Sequence, residues 1–307
     1  HYDTLRSVPA LEDVACATFR AHGLLDALGL PEPGLRAFCR DLESLYAPSN
    51  PYHNALHAAD VLQAASWLAA RAAPGAAASP RELLALFIAA AGHDAGHFAR
   101  NNAFLRATKH EVCSRFHNSR GSPLECMHAE LLLGLMRRHS VLEQCARLPP
   151  PARAEVEAEV EALVLATDMA LHGEACTRLR EAAARGRAGA GVGGATWQAT
   201  PDARQALMPM VIKLADLSSL FRPRGVSEMW ARRILQEFYD QAAEERSLGV
   251  AVSTYETPVP VARHQLAFAE GVVLPALELL AASWLDADAG GELLGLLRGN
   301  IRDWRAE

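Results

Sequence analysis

Lysine is almost missing from this chain of 307 residues; arginine supplies nearly all of the positive charge, and the formal net charge is −6. No arginine-dense face emerges that could neutralise a phosphate backbone, so a nucleic-acid polymer is not an expected partner. Six cysteines are scattered (Cys16, Cys39, Cys113, Cys126, Cys145 and Cys176) without a C-x-x-C pair. That spacing speaks against a zinc ribbon or a disulfide framework and fits reduced thiols. No signal peptide is read at the start of these residues and no uninterrupted apolar run reaches membrane-spanning length, so this domain is not expected to contact a membrane itself. The glycine-rich stretch Gly186–Gly194 has neither a preceding strand nor a G-K-[ST] element, and it reads as a surface loop rather than a phosphate cradle. The chain begins with His1 instead of Met. It is expected to be a domain cut from a longer protein, on the cytoplasmic side, with the parent's membrane attachment left open.

β-Branched runs are few, whereas Ala, Leu, Arg and Glu, all good helix formers, are plentiful. Half of the residues are hydrophobic, enough for a sizeable core. Apolar residues recur at three- and four-residue intervals over 11–22, 33–46, 57–71, 80–91, 122–138, 153–171, 176–185, 201–217, 227–248, 258–285 and 291–305. Ser79 followed by Pro80, and Thr200 followed by Pro201, are strong helix starts: the hydroxyl caps a backbone amide and the proline sits where no amide proton is needed. The expected fold is all-α, one domain over residues 1–307 built of helical subdomains, with no internal repeat.

Two histidine-rich blocks stand out: Tyr52 to Asp60, reading Y-H-N-A-L-H-A-A-D, and His93 to His97, reading H-D-A-G-H. His53 and His57 are four residues apart, as are His93 and His97, so each pair shares a helix face if its segment is helical. One such pair alone is more often a partly buried polar patch than a metal site. Several blocks in a fixed order, with Asp216 further on, suggest a metal site instead. Imidazole and carboxylate together suit a zinc-like ion, and Asp94 has a second oxygen with which to bridge to a more hydrated one.

These blocks resemble the catalytic domain of the class I 3′,5′-cyclic nucleotide phosphodiesterases, within the HD-type metal phosphohydrolases. The first is similar to the family's Y-H-N-x-x-H-A-x-D-V at Tyr52, His53, Asn54, His57, Ala58, Asp60 and Val61. The second is similar to H-D-x-x-H-P-G-x-x-N-x-F-L-x-x-T at His93, Asp94, His97, Asn102, Phe104, Leu105 and Thr108. Further agreement falls at Leu124, Glu125 and His128, at Ala166 to Met169 with His172, at Ala215 to Ser218, and at Gln265, Phe268 and Pro275. The chain departs from the pattern at Phe98 and Ala99, where Pro-Gly is usual, at Cys126 and Met127, and at Ser219 and Leu220, where Asn-Pro is common.

The resemblance implies hydrolysis of a cyclic nucleotide, cAMP or cGMP, to the 5′-monophosphate by a metal-bridging hydroxide. His57, His93, Asp94 and Asp216 would hold the tighter metal, typically Zn2+. The second, typically Mg2+ or Mn2+, would be held through waters anchored by His97, Glu125 and Thr167. His53 would be the general acid. Gln265 would hydrogen-bond the purine edge and Phe268 stack on the ring, with Tyr52 beside them. Ile234 would be the opposite wall or ordinary core, and Asp168 and His172 would orient the ligands or merely bond within a helix. A homodimer is compatible with this reading. Other readings are an HD-type phosphohydrolase on another phosphoester and a non-catalytic nucleotide-binding domain. The choice between cAMP and cGMP is not readable from the residues.

Overall fold

The computed structural model describes residues 10–117, 119, 122–188, 197–255 and 257–307. The expected glycine-rich loop lies mostly outside them. Helix follows helix, and among the described residues there is no strand, only an isolated antiparallel bridge between Ala72 and Leu285. The first part holds α1 (Ala10–Ala21), α2 (Leu24–Leu28), α3 (Glu32–Glu43), α4 (Ala55–Ala70), α5 (Pro80–Gly92), α6 (Asn102–Ala107) and α7 (Glu111–Arg115). The middle holds α8 (Pro123–Arg138), α9 (Val141–Gln144), α10 (Pro150–Leu165), α11 (His172–Ala188) and α12 (Pro201–Asp216). The last part holds α13 (Arg224–Ser247), α14 (Val261–Phe268), α15 (Leu274–Ser283) and α16 (Ala287–Ala306).

α5 shows why the core sits where it does. Ser79 and Glu82 form a reciprocal capping box at its start, and every residue from Leu83 to Gly92 is buried. A helix that is apolar all round must be enclosed, and α5 packs against α2, α4, α8, α10 and α12. Gly92 permits the closest approach: a Cβ there would lie 2.4 Å from Leu132 Cδ1 on α8. α12 is the second central helix, in contact with α4, α5, α11 and α15.

Two expected helices differ in form. The periodicity over 153–171 stops at Leu165, because the Asp168 carboxylate accepts from Ala170 N at 2.9 Å and caps a separate 3-10 turn. The run expected over 258–285 starts at Val261 and contains a π-helical turn, Ala269–Val273, in which Leu274 N bonds to Ala269 O. Pro275 has no N–H to give to the carbonyl four residues back, so a regular α-helical ladder cannot run through this point. By length and composition the stretch Val261–Ser283 is long and apolar enough to cross a bilayer, contrary to the sequence expectation. Here Ala269, Val273, Ala276, Leu277 and Leu280 are buried in the core, and α14 and α15 pack against α16.

The C-terminal helix pins the chain where the functional residues meet. Asn300 Nδ2 donates to Leu220 O and Arg222 O, both at 2.9 Å, just after α12. Arg222 in turn bonds the carboxylate of Asp60 on α4 at 3.0 Å, and both side chains are largely buried. Breaking a buried pair strands one charge and typically costs about 3–5 kcal/mol. Asp60→Ala is therefore expected to lose about 3 kcal/mol by chemical denaturation, whereas Asp60→Leu combined with Arg222→Met recovers much of the loss. Equal stability of Asp60→Ala and the parent would contradict this reading.

Candidate functional site

Asn54 is the N-cap of α4: its side-chain oxygen accepts from Leu56 N at 2.9 Å and His57 N at 3.2 Å. The helix therefore starts at Ala55, which puts His57 in its first turn and leaves His53 outside. α5 ends at Gly92, so His93 caps it and His97 lies in the following turn, where Gly96 is left-handed at φ 76°. Neither histidine pair shares a helix face as the spacing alone suggests. The contacts run between the pairs instead: His53 stacks on His97 with centroids 3.9 Å apart, and His57 meets His93 edge-on at 5.3 Å.

His57, His93, Asp94 and Asp216 converge although they come from α4, the end of α5 and the end of α12. His57 Nε2 is 3.0 Å from Asp216 Oδ1 and 3.6 Å from Asp94 Oδ2. His93 Nε2 is 3.0 Å from Asp94 Oδ2 and 3.3 Å from Asp216 Oδ1, yet it is buried without a hydrogen bond. Its Nδ1 lies 3.0 Å from Ala90 O, which a carbonyl can only accept, so the proton is on Nδ1. A neutral His93 thus aims a lone pair at two carboxylates, an arrangement that calls for a cation or a second proton between them. Burial disfavours that proton, but Asp94 and Asp216 outweigh it and raise the His93 pKa well above the ordinary value.

The same device recurs at His128, which sequence reasoning noted but gave no role. Its Nδ1 donates to Ala95 O at 2.7 Å, and its Nε2 stands 3.9 Å from Asp94 Oδ1. Burial pushes its pKa down to about 4, so the ring is neutral and its lone pair is available. Two clusters therefore share Asp94, one with His57 and His93 and one with His97 and His128. His97 differs in tautomer, since Nδ1 accepts from Ala99 N at 3.0 Å and the proton must sit on Nε2. Burial, with His53 beside it, keeps it neutral. An Nε2–H can hold a water but cannot ligate a cation. This donor set fits divalent cations of the kind imidazole and carboxylate bind.

Around the cluster, Glu237 is the residue the sequence did not reveal. It comes from α13 and is 2 % exposed. One oxygen accepts from Tyr52 N and His53 N, at 2.7 and 2.8 Å, and the other contacts His53 Nδ1 at 2.5 Å. Burial opposes a charge on His53, but Glu237 outweighs it and raises its pKa. Lys213, fully buried on α12, donates to Thr167 O at 3.2 Å and Asp168 O at 2.9 Å, holding the turn that bears Thr167. Glu125 accepts from Asn102 Nδ2 at 3.0 Å. His172 contacts Cys176 Sγ at 3.6 Å and does not line the cleft.

The cluster opens on a cleft of about 810 Å³. Tyr52, His53, His97, Glu125, Thr167 and Asp168 line it, as do Asp94 and Asp216. Ile234 contributes from α13, and Gln265 and Phe268 contribute from one face of α14. Tyr52 also packs on His57, with ring centroids 4.4 Å apart. A second concavity of about 760 Å³ shares no lining residue with this cleft, and among its charges Arg204 pairs with Glu82 and Arg178 with Glu174.

The departures Phe98 and Met127 both pack on the small apolar cluster of Phe104, Leu105, Val112 and Leu124. Ala99, where the resemblance leads one to expect glycine, is held left-handed at φ 57°.

A helical domain that gathers imidazoles and carboxylates under a deep cleft has the make-up of a metal-dependent hydrolase. A profile of the 3′5′-cyclic nucleotide phosphodiesterases matches residues 52–288, and the chain belongs to that family. It is 28% identical over 254 residues to the probable 3′,5′-cyclic phosphodiesterase pde-6 of Caenorhabditis elegans, covering 82% of this chain and 32% of that protein. It is 29% identical over 274 residues to the mouse dual specificity calcium/calmodulin-dependent 3′,5′-cyclic nucleotide phosphodiesterase 1B, covering 88% and 48%. The human high affinity cAMP-specific and IBMX-insensitive 3′,5′-cyclic phosphodiesterase 8A matches at 29% over 243 residues, 76% and 29%. The chain thus spans roughly a third to a half of these relatives' length. The fold superposes on the phosphodiesterase domain of Salpingoeca rosetta rhodopsin phosphodiesterase with TM-score 0.86 at 24% identity, covering 99% of this chain and 90% of that one.

Protein stripped with a chelator and titrated with Zn2+ is expected to rise in thermal midpoint, because a ligand at a hundred times its Kd adds about 2.7 kcal/mol. Asp94→Ala should abolish the rise, and an unchanged midpoint in the parent would remove the metal reading. Ala99→Gly is expected to gain about 0.5–1 kcal/mol, since relief of the left-handed alanine exceeds the entropy cost of glycine; a denaturant series measures it, and a loss would contradict the assigned strain.

Proposed function

We propose that the domain hydrolyses a 3′,5′-cyclic nucleotide to the nucleoside 5′-monophosphate. The observation that carries the reading is that the imidazole–carboxylate cluster opens on the same cleft as Gln265 and Phe268. His57, His93, Asp94 and Asp216 would hold Zn2+, which favours imidazole; Asp94 would also serve a more hydrated Mg2+ or Mn2+, its waters held by His97, Glu125 and Thr167. When bound, the two cations supply a water of lowered pKa and positive charge for the phosphate oxygens.

The chain's own residues do the rest. The oxygen of that water, its proton released to solvent, adds to phosphorus as the bond to the ribose 3′ oxygen breaks, and the leaving oxygen needs a proton. His53 supplies it from Nε2, because Nδ1 is engaged by Glu237. Glu237 favours the protonated ring and fixes its direction, and the stacked His97 limits its rotation. Gln265 offers both a donor and an acceptor to the purine edge, and Phe268 offers an apolar face for stacking. We place the domain on the cytoplasmic side of a longer protein.

General acid catalysis contributes about 10²–10⁴-fold, so His53→Asn is expected to lower kcat by that factor with KM little changed. Glu237→Gln should lower kcat about tenfold to a hundredfold, and the double variant should be no worse than His53→Asn alone, since the two act as a unit. Steady-state kinetics on cAMP and cGMP, beside a panel of other phosphoesters, decides the matter. Failure of the parent to turn over either cyclic nucleotide, or full activity in His53→Asn, would overturn the proposal.

A further inference from the structure

The cleft has a polar pair that the proposed reaction does not use. His264 immediately precedes Gln265 on α14, and it lines the cleft together with Tyr255 and Phe238. The His264 ring stands edge-on to Phe238, centroids 5.6 Å apart, and to Tyr255 at 5.5 Å. Its Nδ1 is 2.8 Å from the Tyr255 hydroxyl. Tyr255 is itself held: the segment joining α13 to α14 is tied to α13 before and after it. Ser253 N donates to the Glu245 carboxylate at 3.0 Å, Thr254 Oγ1 to Phe238 O at 2.9 Å, and Val259 N to Tyr239 OH at 3.0 Å.

Tautomer follows from chemistry. A phenol is a far better proton donor than a neutral imidazole N–H, and an imidazole nitrogen is a better acceptor than a phenol oxygen. The shared proton is therefore the tyrosine's, Nδ1 accepts it, and the neutral ring carries its own proton on Nε2. Burial lowers the His264 pKa and so favours the neutral ring. Among the described residues Nε2 has no hydrogen-bond partner.

We infer that His264, locked in the Nε2–H tautomer by Tyr255, is a specificity-determining residue that offers one N–H donor to the base beside Gln265. The inference rests on the reading of the cleft as a cyclic nucleotide site. A donor there meets an oxo group with a hydrogen bond but meets an amino group donor to donor, leaving a desolvated N–H without a partner. With that N–H directed at position 6 of the base, the site selects a 6-oxopurine over a 6-aminopurine, cGMP over cAMP, by about tenfold.

The test compares kcat/KM for cGMP and cAMP in the parent, His264→Leu and Tyr255→Phe, alongside calorimetric binding of guanosine and adenosine 5′-monophosphate. The parent is expected to prefer the guanine compounds in both measurements. His264→Leu should lower the cGMP-to-cAMP ratio about tenfold, through loss of the hydrogen bond on cGMP and relief of the unpaired N–H on cAMP. Tyr255→Phe keeps the ring but frees the tautomer, so it should move the ratio in the same direction by less. A parent that prefers adenine, or a ratio unmoved in both variants, overturns the inference. If the parent hydrolyses neither nucleotide, the catalytic reading falls, and the binding ratio alone still decides the role of His264.

Discussion

The carbonyls left over where α5 stops orient much of the cluster. A helix end leaves carbonyls without intrahelical partners, and here they are taken by the groups that build the site. Ala90 O accepts from His93, Ala91 O from the Tyr46 hydroxyl at 2.8 Å, and Gly92 O from Ala95 N at 3.1 Å. The turn so formed presents Ala95 O to His128. Two imidazoles are thereby turned the same way, with lone pairs inward on Asp94. Because α5 is enclosed on all sides, these carbonyls cannot shift without disturbing the core, and a rigid helix end becomes a rigid set of donors.

Charge is distributed with similar economy. Asp94 and Asp216 stay ionised despite burial because the neighbouring imidazoles compensate, which depresses both carboxyl pKa values. On the opposite side the buried ammonium of Lys213 faces carbonyls rather than a carboxylate, and burial lowers its pKa although Asp216, Asp168 and Glu125 act in the other direction. A positive charge under the turn of Thr167 and Asp168 partly offsets the acidic lining of the cleft. The two carboxylates of α13 that face inward, Glu237 and Glu245, are each saturated by donors: one by His53 and two backbone amides, the other by Gln241 and Ser253.

Much of this was legible in the sequence. The long helices follow from periodicity and caps, and the order of the histidine and aspartate blocks placed His57, His93, Asp94 and Asp216 together. The short helices α2, α6, α7 and α9 were not legible, since segments of four to six residues are too brief for a 3.6-residue period to show. The helix-face pairing of the histidines failed because Asn54 sets a helix boundary between His53 and His57, and because α5 ends at Gly92, before either His93 or His97. Glu237 was invisible for a different reason: α13 carries several acidic residues, and only packing across 184 residues of sequence selects the one beside His53. Lys213 reads as a surface charge in any composition argument, and its burial is known only once α10 and α12 are brought together.

The distance along the chain between His57 and Asp216, 159 residues for a 3.0 Å contact, has a kinetic meaning. Local helices can form early, but this contact closes a very long loop, and such contacts form late because chain entropy must be spent before they reward it. Asn300 and Arg222 tie that closure to α16, close to the C-terminal end of the chain. A nascent or truncated chain can thus be largely helical and still lack any place where the imidazoles and carboxylates meet. Assembly of the cluster then reports completion of the fold, and a cation that bridges its ligands would act as a clasp on the last long-range contact.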